Sequence, residues 1–114
     1  MRTTKETKRS QVEKASSVIP EEITEVFNYW KTIMSKSARA TLSDERRILI
    51  GAAIHDYGSP SCKEAIRGCS VSPFHMGANK QRKRYDSLEL IFRNTEKIEW
   101  FIQHAEENPE VEPF

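Results

Sequence analysis

PEEITEVFNYWKTIM, residues 20–34, decides the fold class. It opens on a proline and two acids. Both suit a helix N-terminus, where proline gives up only an N–H that would stay unpaired and carboxylates meet the positive end of the helix dipole. Ile23, Val26, Phe27, Trp30, Ile33 and Met34 then recur at three- and four-residue intervals, so one face is apolar and the rest is polar. The spacing predicts a helix that buries Trp30 and its neighbours against other elements of a small core.

Reading toward the C-terminus, the same period returns. Ser43 stands as an N-cap before DERRILIGAAIHDYG, which turns Ile50, Ile54 and Tyr57 inward and closes on Gly58, suited to a left-handed C-cap. Gly51, Ala52 and Ala53 are small enough to let another helix approach closely. In SPSCKEAIRGCS, Ser59 is the expected N-cap and Pro60 the first helical residue, with Cys62, Ala65, Ile66 and Cys69 facing inward. The chain leaves helix from Val71 to Asn79. A last helical region runs from Tyr85 to about Glu107 on Leu88, Ile91, Phe92, Ile98, Phe101 and Ile102, with a break expected at Arg93–Thr95, where Asn94 or Thr95 can cap a new start. No strand-period alternation and no hairpin dipeptide occurs. The expected fold is therefore an all-α, single-domain bundle of four to five helices, with a basic loop containing Pro and Gly between the third and fourth.

Toward the N-terminus, residues 1–18 hold Val12 and Val18 as their only clearly apolar residues after Met1, and 1–19 is expected to form a flexible basic arm. The helical domain is placed at 20–107, and 108–114 reads as an acidic tail. The chain of 114 residues is 37% apolar, enough for one small core. Its net charge of +1 conceals a strong asymmetry: residues 36–84 carry ten Lys/Arg against four Asp/Glu, and residues 85–114 carry two against eight. A basic middle suits a polyanion, and an acidic end suits a basic protein partner or solubility. Cys62 and Cys69 are read as reduced thiols. In a helix they lie two turns apart, roughly 10 Å along the axis, too far for a disulfide. No signal peptide is visible and no run approaches the length of a membrane span, so a cytoplasmic protein is expected.

Catalytic chemistry finds little footing. His55, His75 and His104 have no His or Cys partner at metal-ligand spacing, the acids lie at helix starts or in solvated runs, and four glycines form no phosphate-cradling loop. No metal, no cofactor and no enzyme activity is expected. The cations are different in kind. Arg39, Arg46 and Arg47 flank the start of the second helix, Lys63 and Arg67 share a face of the third, and Lys80, Arg82, Lys83 and Arg84 follow one another in SPFHMGANKQRKRY, residues 72–85. With Tyr85, these ten form the candidate DNA-binding set, phosphate contacts beside rings able to stack on unpaired bases. In the same stretch Pro73 and Gly77 permit a turn, Phe74 and Met76 are expected to anchor it on the core, His75 to brace it by hydrogen bonding, and Asn79 to cap or bend the exit.

The succession VFNYWKTIMSKSARATLSDERRILIGAAIHDYG, then CKEAIRGCSVSPFHMGANKQRKRYDSLELIFRNTEKIEWFI, resembles the C-terminal domain of temperate-phage replication proteins of the replisome-organiser or initiator type. The shared elements are F-x-x-W, an arginine-marked L(S/T)…RR…I helix, A(I/L)xGC, SP(F/W)HMGxN, Y(D/N)xLELIxR and E(K/H)IExFI, over roughly residues 26–102. More distantly, the chain is similar to the small helical domains of bacterial primosome proteins. The resemblance implies an α-helical module that contacts single-stranded DNA or helps recruit the replicative helicase machinery. Family members carry an origin-binding winged-helix domain ahead of this region, so a stand-alone module is expected here.

Two functions follow as expectations. One is a phage or mobile-element replication accessory module that binds single-stranded or forked DNA and a replication protein, a helicase or its loader. The other is a protein-interaction module that occupies and inhibits a host protein, such as the replication machinery or a defence nuclease in the manner of an anti-CRISPR, without useful DNA affinity. A homodimer is compatible with either, and neither involves a membrane.

Overall fold

The apolar stripe of residues 20–34 becomes the centre of the core. In the computed structural model, which describes residues 4–109 with side chains from Arg9 onward, Val26, Trp30 and Met34 are at most 2% exposed. Six helices are present among the described residues: α1 (Thr4–Ser16), α2 (Pro20–Ile33), α3 (Asp44–Tyr57), α4 (Ser59–Ser70), α5 (Leu88–Ile91) and α6 (Thr95–Glu107). The all-α class holds, and the described residues include no strand, only an isolated antiparallel bridge between Met76 and Arg84. One core joins α2, α3, α4, α5 and α6 through Phe27, Trp30, Ile50, Ile54, Ile66, Leu88, Ile91 and Phe101. No described helix is long and apolar enough to cross a membrane.

Two places account for the larger number of helices. Residues 4–16, expected as part of a flexible arm, form α1 and pack on α3. Side-chain burial is not the reason, since Val12 stays 42% exposed. The backbones meet instead at small residues: a Cβ on Gly51 would lie 2.6 Å from that of Ala15, and Lys14 reaches Asp56 of α3 at 3.0 Å. The contact expected at the Gly51–Ala53 stripe is real, and its partner is the segment with the least apolar sequence. Farther along, the last region splits at Arg93–Thr95. Ser87 accepts from the Leu90 N–H to cap α5, and Asn94 accepts from the Lys97 N–H at 2.8 Å to cap α6.

Capping elsewhere follows the sequence with one shift. Ser43 accepts from the Arg46 N–H at 3.2 Å. Ser59, however, is already helical, and Gly58 closes α3 and opens α4 as a single residue. Its φ of 87° and ψ of 154° lie outside the left-handed helical well, in a region open essentially to glycine alone. α4 and α6 cross so closely that a Cβ on Gly68 would collide with the carbonyl oxygen of Phe101. That crossing fixes α6 against the helix from which the basic loop departs. The acidic tail lies, from residue 110, outside the described residues.

Candidate nucleic-acid interface

Between α4 and α5 the chain makes a stitched loop. Met76 N–H donates to Ser72 O at 3.1 Å and Ala78 N–H to Pro73 O at 2.9 Å, so the first turn closes around Pro73. Gly77, at φ 109°, supplies the conformation that other residues avoid. Asn79 then holds the reversal: its Nδ2 donates to Phe74 O at 2.8 Å and Lys83 O at 2.7 Å, and its Oδ1 accepts from the Lys83 N–H at 3.1 Å. Arg82 sits at the tip with φ 52°, a backbone state uncommon outside glycine. Tyr85 N–H donates to His75 O at 2.7 Å and shuts the loop beside the Met76–Arg84 bridge.

The returning segment is extended, and successive side chains leave it on opposite sides. Arg84 and Asp86 turn inward. Asp86 is 4% exposed; its Oδ1 accepts from Lys36 Nζ at 3.0 Å and its Oδ2 lies 2.7 Å from Arg84 Nη2. Arg84 also donates to Met34 O at 3.2 Å, where α2 ends, and Trp30 Nε1 donates to Asp86 O at 2.8 Å. A buried carboxylate with two cations therefore ties the loop to the end of α2. Behind it, Cys69 directs its thiol toward Tyr85 O at 3.6 Å. Burial pushes the thiols of Cys62 and Cys69 up to about 12, so both remain protonated and unreactive at neutral pH.

On the outer side the rings form a strip. Phe74 and Tyr85 stack nearly parallel with centroids 5.7 Å apart, and Lys83 Nζ lies 5.8 Å from the Tyr85 ring. His75 touches Phe74 edge-on at 5.3 Å and Trp100 of α6 at 5.3 Å, and Trp100 lies flat on His104 at 5.1 Å. Phe74 is 54% exposed and Trp100 48%. Phe74 is therefore no anchor, which corrects the expectation: the loop is held by its backbone bonds and by Met76, which packs against the core, and these leave the Phe74 ring outside. His75 braces the turn, its Nδ1 2.8 Å from Ser72 Oγ and its ring edge-on to Phe101 at 4.9 Å. Burial, with Lys97 and His104 nearby, holds its pKa below the usual histidine range.

The ten expected DNA contacts divide. Arg46 is engaged by Glu89 at 2.9 Å, by Thr41 O at 3.0 Å and by the Trp30 ring at 5.1 Å. Lys63 pairs with Glu25 at 2.9 Å. Arg67 pairs with Glu64 at 3.0 Å and donates to Ala105 O and Asn108 O, capping the end of α6. With Arg84, four of the set have structural work that the sequence reading did not assign. Glu25 and Glu89 stand far off in the chain from Lys63 and Arg46, so a local count of charges misses those two pairs, whereas Glu64 and Asp86 lie within three residues of Arg67 and Arg84. The side chains of Arg39, Arg47, Lys80 and Arg82 are exposed and have no ion-pair or hydrogen-bond partner among the described residues. Arg47 borders a separate groove of about 340 Å³ against α1, lined with Val12, Ala15 and Ile48. What the fold gathers at one place is Lys80, Arg82, Lys83, Tyr85 and Phe74, with Trp100 next in line.

Asp86 and Lys36 were not singled out by sequence, and the only available signal was an acid two residues after a cation run. Among the described residues no three His, Cys, Asp or Glu side chains group as metal ligands. Comparisons with protein-family models, with curated proteins and with solved structures find no match for this chain.

Proposed function

We propose that this chain is a DNA-replication accessory module of phage or mobile-element type, rather than an enzyme, which binds single-stranded or forked DNA through the 72–85 loop and engages a helicase or its loader. One observation carries the DNA reading: Lys80 and Arg82 have no side-chain partner among the described residues and share their loop with Lys83, which lies over Tyr85 of the stacked Phe74–Tyr85 pair. Cations for phosphate next to rings for bases are the two requirements of a single-strand site. The resemblance to phage replication proteins supports the replication context, and its most specific motif spans this loop.

A different observation favours the second reading, a module that inhibits a host protein without useful DNA affinity. Arg46, Lys63, Arg67 and Arg84 already hold the fold together. Fewer cations remain for phosphate than the sequence suggests. Fluorescence anisotropy with a labelled oligothymidine at several salt concentrations separates the two. Three loop cations on phosphate give a slope of log affinity against log salt of about −2, from about −0.7 per contact. Replacing Lys80, Arg82 and Lys83 by Ala should bring that slope close to zero. Absence of salt-dependent binding by the parent protein leaves the protein-interaction reading.

A further inference from the structure

We propose that Trp100 is a second base-stacking platform, and that a short single strand runs from the 80–83 cations across Phe74 and ends at Trp100. This rests on the single-strand reading above and adds to it a residue, a path and a limit. The loop cations and the Phe74–Tyr85 pair suffice for that reading, and Trp100 on α6 is not used by it. Nor is Trp100 a core residue: Trp30 is 2% exposed, whereas Trp100, which touches His75, Phe101 and His104, leaves 48% of its surface to solvent.

Phe74 and Trp100 are built alike. Each is exposed, and each is backed by a parallel ring, Tyr85 at an interplanar angle of 10° and His104 at 6°. His75 lies between them, 5.3 Å from both, held by Ser72 and by the Tyr85 N–H. The two platforms are therefore fixed relative to each other. Aromatic faces accept any base but require it to be unpaired, so the strip selects single strand over duplex with little sequence preference. Charge sets the limit. Past Trp100 the surface continues to Gln103, His104 and Glu107, and Glu106 follows on the same helix. Carboxylates there repel a phosphate chain, so the strand does not extend along the end of α6.

The test uses the full chain and an oligothymidine, with a parallel oligomer carrying the same phosphates and abasic sugars. Binding of oligothymidine should quench the exposed tryptophan emission while buried Trp30 supplies a constant background. Trp100→Ala should weaken oligothymidine binding roughly 5- to 150-fold, the range of one lost base stack, with the salt slope unchanged. Trp100→Phe should recover most of the loss. The abasic oligomer should bind parent and Trp100→Ala equally, and circular dichroism should show the variant folded. Salt-dependent binding with no quenching, and with Trp100→Ala at parental affinity, overturns the platform and leaves the loop reading intact. No salt-dependent binding at all removes the reading beneath it, and the platform too. A concentration-dependent doubling of mass in sedimentation that Trp100→Ala abolishes assigns the ring to a second copy of the chain and also overturns it.

Discussion

Lys83 and Arg84 are adjacent cations with opposite fates. Arg84 turns in, onto a buried carboxylate and the end of α2, while Lys83 turns out, over the Tyr85 ring. The returning segment of the loop thus has two sides, an inner one that closes the domain and an outer one available to a ligand. A basic run in a sequence is consequently not one object: once the backbone is extended, alternate members belong to different parts of the protein.

The comparison breaks most visibly at Asp86. Asp86→Ala removes the shared partner of Lys36 and Arg84 and should cost roughly 2–3 kcal/mol, as loss of charge-assisted hydrogen bonds does when the cations left behind still reach water. Chemical denaturation measures it, and a variant as stable as the parent would make the inner side ornamental. Arg84→Ala should cost less, about 1–2 kcal/mol, because Lys36 still serves the carboxylate and the arginine is half exposed. Lys83→Ala should stay within about 0.5 kcal/mol, and so should the combined change of Lys80, Arg82 and Lys83 to Ala. Equal effects from Lys83 and Arg84 in the same melts would erase the distinction between the sides. Phe74→Ala belongs with the outer group, at under about 1 kcal/mol for one partly exposed stack.

The smallest effect is one of pH. His75 titrates below its ordinary value in the folded chain, so between that lowered value and about 6.5 the unfolded chain binds more protons. Stability should be fully present above pH 6.5 and fall as pH drops through this window. Melting temperatures of the parent and His75→Gln across pH 5 to 8 check the sign. The parent should lose more on acidification than the variant. A parent that gains would contradict burial as the dominant cause.

Much of the helical framework was legible in the sequence, because it depends on local rules. The 20–34 stripe, the Ser43 and Asn94 caps and the Pro-Gly turn each announce themselves within a few residues. The packing of α1 did not, since Ala15 meets Gly51 by backbone approach and not by an apolar face. Nor did the division of the cations, because Glu25 and Glu89 reach Lys63 and Arg46, and Asp86 reaches Lys36, only through tertiary structure. Phe74 was misplaced for a related reason. Hydrophobicity predicts burial on average, but a loop closed by its own hydrogen bonds has no need of the ring.

The two thiols give the fold a clock. At neutral pH it is thiolate that attacks a thiol-modifying reagent, and neither Cys62 nor Cys69 offers any while α4 is seated, being fully buried with thiols pushed up to about 12. Labelling therefore records how often each one is released. Cys69 lies under the loop exit at Tyr85, and Cys62 lies two turns earlier on α4. Unequal labelling times would mark a loop that lifts while the bundle stays shut, and equal times a molecule that opens only as a whole.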